Sequence, residues 1–172
     1  HKLQPSSQSA YFLYKLNAAR GNFDEAVKYI SEALTYPEIS VETAADYNYE
    51  AATFCVKNGK NAKALEFANK SMELADSYKG KAYFLIGTIW GATTCGGDEI
   101  SRRAPYWVAY DYMAKAKEAD PSLAEDCNKM MSQYRVYFPQ TAEAFMYDLT
   151  DGKPYKVSCN GMTANTTVRT QK

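Results

Sequence analysis

Apolar residues recur at helical spacing over most of this chain, then give way to short alternating runs. From Gln8 to Arg20 the apolar positions are Tyr11, Phe12, Leu16 and Ala19, and Gly21-Asn22 follows as a tight turn. A second helix is expected to open with Asp24 and Glu25, where acids suit the helix dipole. It carries Ala26, Ile30 and Ala33 and ends near Tyr36-Pro37. From Thr43 the pattern returns: Asn48, Ala51, Ala52 and Cys55 on one helix, Gly59 as the turn, then Ala64, Ala68 and Ser71. Gly21 and Gly59 lie 38 positions apart. A third pair is expected from Gly80, with Tyr83, Ile86, Gly87 and Trp90 on its first helix. Ala109, Met113 and Ala116 lie on its second, and Pro121 ends it. Between the two helices, Thr93 to Arg103 lengthens the turn by about ten residues. Ala104-Pro105 is read as the start of the second helix. A seventh helix is expected from Ser122 to about Tyr137, with Leu123, Cys127, Met130, Met131 and Tyr134 on one side. After Pro139 the runs Phe145-Met146-Tyr147, Tyr155–Cys159 and Thr166–Arg169 are β-prone, separated by turn chemistry at Asp151-Gly152 and Asn160-Gly161.

The third pair reads aromatic-x2-Ile-Gly-x2-aromatic, then Ala-x3-Met-x2-Ala-x4-Pro. Gly87 and Ala109 are small where two helices approach, and Tyr83, Trp90 and Met113 fill the space around them. This pattern resembles the tetratricopeptide repeat, whose period is about 34 residues. The first repeat departs from it, with Ala10 at the leading aromatic position and Tyr14 where a glycine is usual. The resemblance covers residues 8–121. It implies a mainly α fold: a right-handed α-solenoid of about three helix pairs plus a capping helix, with a small C-terminal β-hairpin tail. The expected division is a helical repeat domain, residues 1–138, and a β-rich tail, residues 139–172, packed on it.

The resemblance also implies a binding function without catalysis. In this family a stripe on the first helix of each pair lines a groove. Counted along the consensus, that stripe includes Tyr11 and Lys15, then Asp46, Tyr49 and Thr53, then Lys81, Phe84 and Thr88. Aromatic anchors with a few point charges suit a protein or peptide partner. The alternative for Tyr11, Tyr49 and Phe84 is packing against the next repeat. A carboxylate clamp fits poorly: only Lys81 matches its basic set, with Glu50 and Leu85 at positions that should be Asn and basic.

Charge and composition narrow the chemistry. Twenty basic residues balance twenty acidic ones, so no nucleic-acid footprint is expected. No run of 18 apolar residues exists, so no transmembrane segment is expected. The single histidine is His1, and no Ser/His/Asp or Cys/His arrangement can be assembled from the rest. The four cysteines form no C-x-x-C pair, so neither a metal site nor a cofactor is expected. Cys55 and Cys127 read as small buried hydrophobes. Together with the tail Asn165–Arg169, the repeats resemble exported repeat proteins of Gram-negative bacteria. That implies a periplasmic or cell-envelope location after removal of a signal segment, and an adaptor or assembly role. The chain opens at His1 without Met, which fits signal removal or a piece of a longer protein. Under export, Cys95 and Cys159 are the best disulfide candidates. Two other readings stand beside this one. One is an enzyme with a carboxylate site near the insert 95–103. The other is a purely structural segment of a longer array.

Overall fold

A computed structural model describes residues 4–171. Among the described residues there are eight α-helices and one two-stranded antiparallel sheet. The chain divides into two compact units, with the boundary between Tyr78 and Lys79.

The first unit holds α1 (Ser7–Ala19), α2 (Phe23–Ala33), α3 (Val41–Lys57) and α4 (Asn61–Leu74). Ser6 and Ser40 cap α1 and α3, each side chain accepting an amide three residues on. α1 packs on α2 and α3 packs on α4. The pairs close through matching turns. Gly21 and Gly59 both take positive φ, 75° and 71°, which glycine adopts without a Cβ clash. Asn22 N donates to Asn17 O and Lys60 N donates to Cys55 O, the same bond 38 positions on. A buried hydroxyl ties each pair at equivalent places. Ser7 Oγ donates to Ala33 O (2.8 Å), and Ser71 Oγ donates to Ala45 O (2.7 Å). The donor lies on the first helix in one pair and on the second helix in the other. Structure therefore repeats at the 38-residue offset even where side chains differ.

The buried face of α1 is Ser7, Ala10 and Tyr14, not the expected Phe12 and Ala19. Phe12 is 66% exposed. Large apolar residues misled the periodicity here, because close helix approach selects small side chains at the contact. Tyr14, Ala26, Ile30 and Ala51 form the core, with Tyr47, Phe54 and Phe67 packed against it. The expected inner residues of α2, α3 and α4 are buried.

The second unit holds α5 (Lys79–Gly91), α6 (Glu99–Ala119), α7 (Ala124–Arg135), α8 (Thr141–Phe145), β1 (Pro154–Cys159) and β2 (Met162–Thr167). α5 packs on α6, and α6 on α7. Gly87 is buried where α5 meets α6; a Cβ there would lie 2.9 Å from Met113 Cε and 3.3 Å from Ala109 O. α6 begins earlier than Ala104-Pro105. Asp98 accepts from Ser101 N at 2.8 Å, and that cap starts the helix at Glu99 and leaves Pro105 inside it. The irregular insert is thus shorter than Thr93–Arg103. α7 follows a 3₁₀ turn at Pro121–Leu123 and buries Cys127, Met131 and Tyr134.

Phe145-Met146-Tyr147 is not a strand. Phe145 ends α8, and Met146 and Tyr147 form its closing turn. Glu143 accepts from Gln140 N, and that local bond favours helix over extension. The hairpin turns at Asn160-Gly161 as expected, both with positive φ, but its second strand is Met162–Thr167, so Val168 and Arg169 of the expected run lie beyond it. It lies on α6. Trp107 meets Tyr155 edge-on at 5.3 Å and donates from Nε1 to Arg169 O at 2.9 Å. Cys95 and Cys159 form a disulfide, with Cα atoms 5.8 Å apart. The hairpin therefore belongs to the same unit as α5–α7.

Candidate functional site

Tyr11 and Lys15 lie on α1, and Asp46, Tyr49 and Thr53 on α3, one face of the first unit. Tyr11, Tyr49 and Thr53 are half-buried, whereas Lys15 and Asp46 are exposed. Tyr11 stacks on Tyr47 at 4.4 Å with near-parallel rings, and its hydroxyl donates to Glu50 Oε1 at 2.8 Å. Lys15 Nζ sits 5.5 Å from the Tyr11 ring centre, within cation–π reach. Burial, then the bond to Glu50, raises the Tyr11 phenol above its ordinary value, so Tyr11 stays a donor. Asp46 accepts from Tyr78 OH at 3.0 Å, and burial with that bond pushes Tyr78 up to about 12. Tyr49 tilts against Tyr78, ring centres 6.0 Å apart. Thr53 Oγ1 donates back to Glu50 O within its own helix.

Of these residues only Thr53 lines the open cavity of about 770 Å³ in this unit, with Tyr14, Ala18, Glu50, Phe54 and Lys57 among its other walls. Glu50 Oε2 is buried with no hydrogen-bond partner. Aromatic rings, a carboxylate, a hydroxyl and a lysine thus share one concave surface. The sequence marks Glu50 only as a misfit to a carboxylate clamp and gives no sign of Tyr47 on this face. The available signal was Glu50 four residues after Asp46 on the same helix, which places both carboxylates on adjacent turns.

Lys81, Phe84 and Thr88 lie on α5 in the second unit. Lys81 is exposed, Phe84 and Thr88 are half-buried, and Thr88 Oγ1 donates to Leu85 O at 2.7 Å. Of the three, only Thr88 lines the cavity of about 520 Å³ there, with Tyr106, Met130, Tyr134 and Tyr137 among its walls. Tyr106 stacks on Tyr137 at 4.3 Å. Further along the same helix the Tyr134 ring fills the space over Gly91, leaving no room for even a Cβ.

The insert carboxylates have structural partners. Asp98 caps α6, and its amide bonds from the first turn hold its carboxyl below the usual range. Glu99 pairs with Arg102 and Arg103, and Arg103 also with Glu143 (3.2 Å). Cys55 and Cys127 are buried free thiols raised by desolvation, Cys55 to about 11. Burial thus favours the protonated thiol in both, the less nucleophilic form. His1 lies outside the described residues. Among those described, no group of three or more His, Cys, Asp or Glu is placed to hold a metal. No helix is long and apolar enough to cross a membrane.

No protein-family model matches the chain, and no curated protein matches it in sequence.

Proposed function

We propose that this chain is a non-catalytic tetratricopeptide-type module that binds a protein or peptide partner. In this reading the helix pairs form a short right-handed α-solenoid, with α7 as its cap and the hairpin as its tail. The observation that carries it is the first unit's face, where Glu50 and Thr53 line an open cavity with Tyr14 and Phe54, and Tyr11 and Tyr49 stand half-buried on the same two helices. Half-buried aromatics with pinned hydroxyls lose little conformational freedom when a ligand covers them, which is the economy aromatic-rich binding faces use. The repeated turns and buried hydroxyl ties at the 38-residue offset support a repeat architecture. The engaged state of Asp98 and Glu99 leaves the enzyme reading without a free carboxylate pair at the insert. The Cys95–Cys159 disulfide favours an oxidising compartment, in keeping with an exported adaptor or assembly factor of the bacterial cell envelope.

Site-specific photo-crosslinking in the native host tests this reading. A photoreactive phenylalanine at Tyr49 or at Thr53 should capture one partner band. The same probe at Lys28 or Lys70, exposed positions on α2 and α4, should not. Equal capture from all four positions would refute a face-specific site.

A further inference from the structure

A polar cavity of about 510 Å³ in the second unit uses none of the residues assigned to the proposed binding face. Its walls include Tyr110 of α6, Arg135 at the end of α7, Asp151 of the turn before β1, and Arg169 and Thr170 after β2. Both arginines converge on one ring. The Arg169 guanidinium carbon lies 4.5 Å from the Tyr110 ring centre and that of Arg135 lies 5.6 Å away. Arg135 Nη2 donates to the Tyr110 hydroxyl at 2.8 Å. Among the described residues no carboxylate pairs with Arg135. Arg169 pairs with Asp111, yet its Nε is buried with no acceptor. The one carboxylate in the wall, Asp151, is occupied: its Oδ1 accepts from Thr170 N at 2.9 Å and from Thr170 Oγ1 at 3.3 Å.

Arg135 therefore keeps donors that no carboxylate takes, and Arg169 adds its charge beside its Asp111 partner. Arginine carries five N–H groups and no acceptor, so two converging forks call for a ligand that only accepts. Contact with Tyr110 holds both guanidiniums near the cavity beforehand and reduces the ordering cost of binding. We infer that this pocket binds an oxyanion, a carboxylate or a sulfate-type group, held between Arg135 and Arg169 over the edge of Tyr110. The Thr170 amide and hydroxyl are turned to Asp151, so selectivity rests on the two guanidiniums. Asp151 opposes the ligand's charge and limits the affinity for a small free anion.

The test is a nitrogen-edited NMR titration of the whole chain with its disulfide intact, following the arginine Nε–H signals and the Thr170 amide. Sodium acetate and sodium sulfate are compared with sodium chloride at matched ionic strength. Saturable shifts confined to Arg135, Arg169 and Thr170 are expected with acetate or sulfate. Stronger binding of acetate assigns the pocket to carboxylates, and stronger binding of sulfate assigns it to tetrahedral oxyanions. Arg135→Gln should weaken either about tenfold, because a charge-assisted bond is lost, with the rest of the spectrum unchanged. Arg135→Lys, which keeps the charge without the fork, should fall between the two. Shifts that merely track ionic strength as chloride does, or an Arg135→Gln variant that titrates like the wild type, would overturn the assignment.

Discussion

At the residue scale, small side chains and shared hydroxyls decide the packing. A Cβ on Gly91 would lie 2.5 Å from Tyr134 Cε1, so the Tyr134 ring, only 5% exposed, would have to shift from its packed position. Gly91→Ala should therefore destabilise the second unit by about 1–3 kcal/mol, the usual cost of overpacking, read as a lower thermal midpoint. An unchanged midpoint would mean that the Tyr134 contact is absent. Alkaline pH should also act through single residues. Burial raises the Cys55 thiol to about 11, whereas an unfolded thiol titrates near about 8.5. A group whose pKa is raised on folding contributes full stability below the unfolded value and loses it as pH rises through the folded one. Tyr11, Tyr14 and Tyr134 are raised by burial too and add to the loss above their unfolded value of about 10. Calorimetry should show stability falling from about pH 8.5 to 11, and less steeply over that range for Cys55→Ala. The glycine and alanine positions of Gly87, Ala109, Ala64 and Ala68 were legible in the sequence, since spacing dictates where helices touch. The Tyr11–Glu50 bond was not, because it joins residues 39 apart across two helices.

At the element scale, the helices were legible wherever small apolar residues recur at 3.6 spacing. Two departures have local causes. Asp98 caps α6 and so overrides Pro105 as the start signal. Gln140 and Glu143 pair at the start of α8 and hold Phe145 in a helix that its β propensity argues against. The hairpin was readable from Asn160-Gly161 alone. What the pattern left open was its docking, which rests on Trp107, Asp111 and the disulfide. Asp111 accepts from Thr166 and Arg169, pinning β2 and the residue beyond it to α6. The disulfide closes a 64-residue separation, worth about 4 kcal/mol in the chain-entropy account. A Cys95→Ser, Cys159→Ser double variant should therefore unfold at markedly lower denaturant than the wild type. Reducing agent should shift the wild type to match it and leave the variant unmoved. Coincident midpoints for oxidised protein and variant would show that the bridge adds no stability.

At the scale of the whole molecule, no metal cluster is gathered among the described residues and no thiol is activated. The first unit offers a half-buried aromatic face and a cavity beside it. The repeat period made that face countable from sequence, though it could not say which stripe residues would be drawn into packing. Tyr49 is the sharpest probe, being half-buried and central on α3. Truncating an aromatic at an interface centre costs about 2 kcal/mol or more, and each 1.4 kcal/mol is tenfold in affinity. Lys81, exposed on α5, belongs to the other unit, and Lys81→Ala serves as the control. The direct measurement is the dissociation constant of the crosslinked partner for wild type, Tyr49→Ala and Lys81→Ala, each first checked for unchanged helical content by circular dichroism. Tyr49→Ala should bind roughly 30-fold more weakly or worse. Lys81→Ala should bind as the wild type does. Wild-type affinity in a folded Tyr49→Ala variant would contradict the proposal that this face is the binding site.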